Sequence, residues 1–392
     1  MNQPDSTENL SYDPHSRDLS PEYAYDLYQN LRSKCPVSHD DKYGGYWTLS
    51  RYEDVRAAAM DHETYSSTGG VYVPPVSDNR FPPIDYDPPE HEGFRKLIAP
   101  LTSAKAAKQM EPAIQATVDR LVDAFIDAGQ VELVEALSVP VPLDVITQLY
   151  DLGPQQAQEI REYSLEFLEH ASDEQGRAVI DRVCAYWVSV FEQRRAEPGD
   201  DFISELLRIN EDLGVNDETL ANMMFILTYA GHDSTALGLS NVLLYLAEHP
   251  EAQQRLIDDP KLIPMAIDEI LRYETPLHWF PRLLTKAASL AGQQMAEGQR
   301  IILLYASANR DASVFENPDE VVIDRKPNRH LAFGAGIHSC PGMPLAKAEI
   351  RIVVQTLLDR IPGFRVAGEI ERTDPLEGGG RHLGVRKLPV KW

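Results

Sequence analysis

The sequence reads as one large, mainly helical domain with small β-sheets. From His91 to about His249 nearly every stretch has helical periodicity, interrupted at "DLGPQQ" and "AEPGDD". Strand-like pieces such as "QRIILLYASA" are short and lie outside that region. No shift of composition, flexible linker or internal repeat divides the chain. With 392 residues, 43% of them hydrophobic, it can fill a substantial core. Residues 1–20 are polar and expected to be a flexible segment, which leaves 21–392 as the domain.

Taken in order, "PEYAYDLYQNLRSKCP" is an amphipathic helix, and "GYWTLSRYEDVRAAAMD" a short strand running into another helix. Between Val71 and Glu90 stand Pro74, Pro75, Pro82, Pro83, Pro88 and Pro89, which exclude regular helix and predict a long irregular loop. Loops of that length in compact proteins are usually functional or disordered. The apolar segment from about Asn216 to His249 would form a helix roughly 50 Å long, so it must cross the middle of the molecule. Gly231, His232, Asp233, Ser234 and Thr235 interrupt it, whereas a membrane span needs about 20 predominantly apolar residues. The helix "IPMAIDEILRYETP" follows, then short strands, a glycine-rich loop, the helix "MPLAKAEIRIVVQTLLDRI" and a strand-rich tail.

A formal net charge of −24 argues against general nucleic-acid binding, because no basic excess is available to displace counterions from phosphates. The first residues lack the basic start and apolar stretch of a secretory signal. Cys35, Cys184 and Cys340 are odd in number and far apart, which fits a reducing cytoplasm and no disulfide framework. A cytoplasmic protein without membrane attachment is therefore expected.

Four clusters carry chemistry. In "HLAFGAGIHSCPG", Gly334, Gly336 and Gly342 let the backbone turn sharply around Cys340, and Phe333 adds a flat apolar contact. The positive end of the helix starting near Met343 should lower the thiol pKa and favour thiolate. A buried structural cysteine is the bland alternative, and a zinc site with His338 lacks two further ligands. One soft thiolate without a partner cysteine suits haem iron. In "EILR", Glu269 and Arg272 are three apart on one helix face, a spacing that alone indicates surface decoration. In "AGHDST", Gly231 weakens the long helix while Asp233 and Ser234 compete for backbone hydrogen bonds. A local bulge is expected there, and the carboxylate and hydroxyl can relay protons, the alternative being a satisfied polar patch. In "PPEHEGFRK", His91 and Arg95 share a helical face and with Arg282 and His338 can hold an anion, though singly each reads as a surface residue.

In this order the pieces "DPPEH", "AGHDST", "EILR", "ANRD", "NRHLAFGAGIHSCPG" and "LAKAE" resemble the cytochrome P-450 superfamily, in particular its soluble bacterial haem-thiolate monooxygenases. The resemblance implies a triangular fold with haem b (iron protoporphyrin IX) between the long central helix and the cysteine loop. It makes Cys340 the axial iron ligand, with Phe333, Gly334, Gly336, His338 and Gly342 in the signature positions. Glu269, Arg272 and Arg325 become a buried structural network, and His91, Arg95, Arg282 and His338 the haem propionate clamp. Asp233 and Ser234 take the places of the acid–alcohol pair, with Thr235 next; the alcohol is more often threonine, whose methyl restrains the rotamer. An anionic thiolate ligand pushes electron density onto iron and favours O–O cleavage.

The same resemblance sets Ile226, Tyr229, Ala230, Leu277, His278, Trp279 and Phe280 on the distal side, with Val71, Tyr72 and Val73 of the proline-rich loop closing over them. That set is apolar and aromatic, which indicates an apolar small molecule of terpenoid or aromatic type, oxidised with O2 by a monomeric enzyme. With no flavin or iron–sulfur segment in the chain, electrons are expected from NAD(P)H through a reductase and a ferredoxin. Lys96, Lys105, Lys108, Lys347 and Arg351 form the expected basic docking patch. Alternatives from other classes are a haem-thiolate sensor or carrier without turnover, which would not need Asp233 and Ser234, and a peroxide-driven oxygenase.

Overall fold

The helix Asp217–Glu248 is the axis on which the molecule is built. Asn216 caps it by accepting from the Thr219 amide, and its 32 residues span about 48 Å at 1.5 Å each. It is buried nearly all round because two separate apolar clusters pack on its two halves. Leu220, Met224, Phe225 and Tyr229 join one cluster, with Trp187 and Phe191 of the helix Glu174–Ala196. Leu239, Val242, Leu243 and Leu246 join the other, with Ile270 of the helix Ile263–Tyr273 and Val353 and Leu357 of the helix Met343–Arg360. The seam between them falls at Ala230–Ser234, where Ala230 is exposed and Gly231 and Ser234 are half-buried.

The computed structural model describes residues 10–75, 79–170 and 174–392. Of the segment expected to be flexible, residues 1–9 lie outside the described residues. Residues 10–20 depart from that expectation. Tyr12 and Leu19 are fully buried, and the Tyr12 carbonyl accepts from the Tyr46 hydroxyl, so this stretch is packed down on the sheet.

A five-stranded mixed sheet runs in the order Val37–Asp40, Tyr46–Leu49, Arg300–Leu304, Trp279–Leu284, Tyr65–Ser66, its second and third strands parallel. Successive residues of Arg300–Leu304 alternate between two cores: Ile301 and Leu303 pack with Val55, whereas Ile302 and Leu304 pack with Tyr28 of the first helix, Pro21–Lys34. In the tail, Glu371–Arg372 pairs with Val385–Lys387, and Pro389–Lys391 lies between Gln130–Glu132 and Arg365–Val366. From Val71 to Pro89 there is neither helix nor strand among the described residues, as the prolines require. Among the described residues no helix is long and apolar enough to cross a membrane.

Candidate active site

Cys340 is held in its loop by backbone alone. Its amide donates to the Phe333 carbonyl at 2.8 Å, and the Gly334 amide to the Leu331 carbonyl at 2.9 Å. Gly336 sits at φ +70°, and a Cβ there would lie 2.4 Å from the Ala59 carbonyl oxygen, so only glycine lets the loop seat against the helix Tyr52–Met60. Met343–Arg360 begins three residues after the cysteine. Desolvation pushes the thiol pKa up, while the Gly342 and Met343 amides and Arg95 pull it down. For the thiol by itself burial outweighs the helix terminus, and the net direction is upward. The other two cysteines are also free, and burial pushes Cys184 up to about 12, as suits an inert thiol.

Beside the loop the structure gathers four basic groups. The His91 and His338 rings lie 4.7 Å apart, and Arg95 Nη1 donates to the Ser339 carbonyl at 3.3 Å. Burial, with His338 and Arg95 nearby, pushes His91 down to about 4, and its Nε2 has no hydrogen-bond partner. His338 Nε2 lies 3.4 Å from Asp87, whose carboxyl sits at about 2: burial works to raise it, and bonds from His338, Ser66 and Ser67 prevail. Arg282 is buried within electrostatic reach of His338 and donates to the Pro281 carbonyl.

Glu269 and Arg272 are completely buried, joined by two 2.8 Å bonds. Arg325 reaches the same carboxylate at 2.9 Å, and the Val322 amide and Asn328 also donate to it. Arg272 extends to the carbonyls of Asn309, Pro318 and Glu320, which ties the chain before the cysteine loop to the helix Ile263–Tyr273. Burial, not spacing, separates this network from surface decoration.

On the central helix the expected bulge is absent: the helix runs unbroken through "AGHDST". Ser234 Oγ donates to the Ala230 carbonyl at 2.7 Å, which satisfies the hydroxyl without opening the ladder. Asp233 is buried and drawn sideways to the tail, with Arg386 at 2.8 Å and His382 Nδ1 at 3.0 Å. Arg386 also bonds Glu377, so it supplies the cation between two carboxylates. Thr235 is buried in the same turn.

Substrate-side residues divide. Val71, Tyr72, Ile226 and Tyr229 are buried and Phe280 is half-buried, Tyr72 within electrostatic reach of Tyr229, and Ala230 opens at the seam of the two cores. His278 and Trp279 turn elsewhere: His278 Nδ1 meets the Tyr28 hydroxyl at 2.7 Å, and Trp279 Nε1 donates to the Gly380 carbonyl. Strand alternation sends Trp279 into the N-terminal aromatic cluster and leaves Phe280 on the other face. Missed in the sequence were Arg381, His382 and Arg386; a run of three glycines before two basic residues, "GGGRH", was the available signal. Lys96, Lys105 and Lys108 are exposed, but Lys347 is paired with Asp268 and Arg351 with Glu111, each at 2.6 Å, so the expected basic patch is smaller.

A sequence model described as "Cytochrome P450" matches residues 157–377. Nocardicin C N-oxygenase from Nocardia uniformis subsp. tsuyamanensis is 33% identical over 98% of this chain and 99% of its own length. The chain belongs to the cytochrome P450 family. Erythromycin C-12 hydroxylase from Saccharopolyspora erythraea is 32% identical over 92% of each chain. Among solved structures, the P450 CYP109E1 from Bacillus megaterium in complex with testosterone superimposes with a TM-score of 0.86 at 27% identity, covering 97% of this chain and 99% of that one.

This P450 is thus a monooxygenase with haem b as its cofactor, and its residues fit that group. Cys340 offers a single sulfur beside two helix-start amides, His91 a buried ring nitrogen without a partner, and Arg95, Arg282 and His338 basic groups suited to propionates. These are the side chains available to hold it.

Proposed function

We propose that this P450 inserts one atom of O2 into a largely apolar small organic substrate, with electrons from NAD(P)H delivered through a reductase and a ferredoxin. The observation that carries the reading is the combination of the glycine-cradled Cys340 loop with the opening at Ala230–Ser234 in an otherwise buried helix. Cys340 would ligate the iron, and His91, Arg95, Arg282 and His338 would hold the propionates. When bound, the haem supplies reductive cleavage of O2 and the oxidant for a C–H bond.

The chain's own residues deliver protons and exclude water. Ser234 donates its hydrogen to the Ala230 carbonyl, which leaves its oxygen free to accept one from a neighbour. Asp233 can hold and pass a proton only after its carboxylate leaves Arg386 and His382. Tyr72, Ile226, Tyr229 and Phe280 supply an apolar wall, which supports the substrate class. Three free cysteines support a reducing cytoplasm, where we place the enzyme as a monomer.

The test is substrate-dependent NADH consumption with a reconstituted reductase and ferredoxin, with product followed alongside. Product formed with hydrogen peroxide alone, and none with the partner proteins, would instead identify a peroxide-driven oxygenase. Haem spectral shifts with no turnover under either regime would identify a binder.

A further inference from the structure

We propose that Arg381 makes this P450 selective for substrates that carry a carboxylate on an otherwise apolar body. The inference rests on the monooxygenase reading above and refines its substrate class. Arg381 is 4% exposed, and among the described residues no carboxylate lies within ion-pair distance of it. Its guanidinium is stacked over the Tyr72 ring at 4.3 Å and the Phe280 ring at 4.8 Å from their centroids. Nη1 donates to the Val71 carbonyl at 2.7 Å, and Nε is buried with no partner. Three of those contacts are residues of the substrate wall.

A guanidinium stays charged at any working pH, and burying it unpaired is unfavourable unless a ligand completes the pair. Asp85, an acid within electrostatic reach, does not. It makes no ion pair, its Oδ1 is also unpartnered, and burial pushes its carboxyl up to about 6. Tyr229, likewise in reach of Arg381, presents a buried hydroxyl with no partner. Two donors without partners, Arg381 Nε and Tyr229 Oη, thus lie within electrostatic reach of each other, and the Tyr229 ring packs on the apolar Phe167 and Phe225.

Geometry selects the ligand. With an aromatic ring over the guanidinium on Tyr72 and on Phe280, an acceptor must approach at the edge, in the plane of the fork, where a flat two-oxygen carboxylate matches best. The backbone holds this edge still. The His278 amide donates to the Arg381 carbonyl at 2.9 Å, Leu277 bridges to His382, and Gly379 lies so close to Tyr72 that a Cβ would come within 2.7 Å of its ring. His382 and Arg386, the next basic groups, are both spent on Asp233. A mere latch on the proline-rich loop would need only the Val71 bond, which a neutral side chain can make.

The test is equilibrium dialysis of the haem-loaded protein against a panel of apolar monocarboxylic acids and their methyl esters at neutral pH. Acids should bind about tenfold or more tightly than the matching esters, as a charge-assisted pair at a desolvated site requires. Arg381→Gln should lose that preference while keeping its affinity for esters, and Arg381→Lys should retain part of it. Equal binding of acids and esters by the wild type, no acid binding at all, or a preference that survives in Arg381→Gln would overturn the proposal. If Arg381→Gln does not retain haem, the acid-to-ester ratio in Arg381→Lys decides: an unchanged ratio refutes the bidentate pair, a lowered one supports it. A wild-type reduced carbon monoxide complex without the thiolate signature would remove the parent reading instead, whatever the dialysis shows.

Discussion

Asp233 is reached from the C-terminal hairpin by Arg386 at 2.8 Å and His382 at 3.0 Å, two residues some 150 positions away in the chain. Burial alone would raise its pKa, but these neighbours hold the carboxyl well below the usual carboxylate range. The group is therefore ionised throughout the working pH range. The stability it contributes is present above the unfolded carboxylate value, about 4, and is lost only in strong acid. In Asp233→Asn turnover should be slowed, because proton delivery loses its carboxylate, and the melting temperature lowered, because Arg386 and His382 lose theirs; stopped-flow kinetics beside thermal melts checks this. Ser234→Ala should instead divert electrons, so that NADH is consumed, hydrogen peroxide accumulates and product falls. Equal coupling in both proteins would remove Ser234 from the relay and leave Thr235, buried one residue on, to be examined. For Cys340→His the expected outcome is loss of the red-shifted Soret band of the reduced carbon monoxide complex, because an imidazole cannot supply thiolate charge. These three residues were legible in the sequence because their types and order carry the chemistry. Their partners were not, since nothing in local pattern says that "GGGRH" folds back onto the middle of a helix.

Between elements, the carboxylate of Glu269 is the knot that joins the helix Ile263–Tyr273 to the chain from Asn309 to Asn328. It accepts from Arg272, Arg325, the Val322 amide and Asn328, all within 3.2 Å. Glu269→Ala leaves two buried guanidinium groups without their acceptor, and breaking such a pair costs about 3–5 kcal/mol. Low haem content and a lowered melting temperature are the expected results; a haem-replete variant of wild-type stability would reduce the network to an ordinary contact. Sequence spacing could not rank this pair, because an acid and an arginine three apart look alike on a wet and a dry helix face. The proline-rich segment makes a second case. Its irregularity was legible from its prolines, but the burial of Asp85 was not. Asp85 takes the Phe81 amide on one oxygen and nothing on the other, and desolvation raises its pKa to about 6. A carboxyl raised in the folded state favours folding below its unfolded pKa, and that contribution disappears as pH climbs through about 6. Asp85→Asn should accordingly raise the melting temperature at pH near 8, with the gain shrinking from about pH 6 downward and little of it left below about pH 4. A pH-independent difference would show that the second oxygen is satisfied in solution.

At the scale of the molecule, the ferredoxin-dependent reading proposed above pairs a chain of net charge −24 with an acidic donor, so on that reading docking needs a local exception to the global field. The architecture was readable because one helix too apolar for a surface and too polar for a membrane had to be a core axis. Charge placement was not readable, since a lysine in sequence carries no sign of the acid it will meet in space. Lys347 and Arg351, basic by sequence, are neutralised by Asp268 and Glu111, whereas Lys96, Lys105 and Lys108 stay exposed on the helices Glu90–Thr102 and Ala104–Asp123. The latter helix packs beside Met343–Arg360, which begins three residues after Cys340, so these lysines stand exposed on elements next to that side of the molecule. Ferredoxin association should weaken steeply with salt, because exposed charges are screened beyond about 8 Å at physiological ionic strength. Reversing Lys105 and Lys108 together to glutamate should slow first-electron transfer at low salt and leave substrate titrations unchanged. The double reversal of Lys347 and Arg351 should do less, since it removes charges already balanced while also freeing two acids. If the second pair proved the more damaging, docking would follow the Cys340 helix itself, and the ion pairs seen there would have to open when the partner arrives.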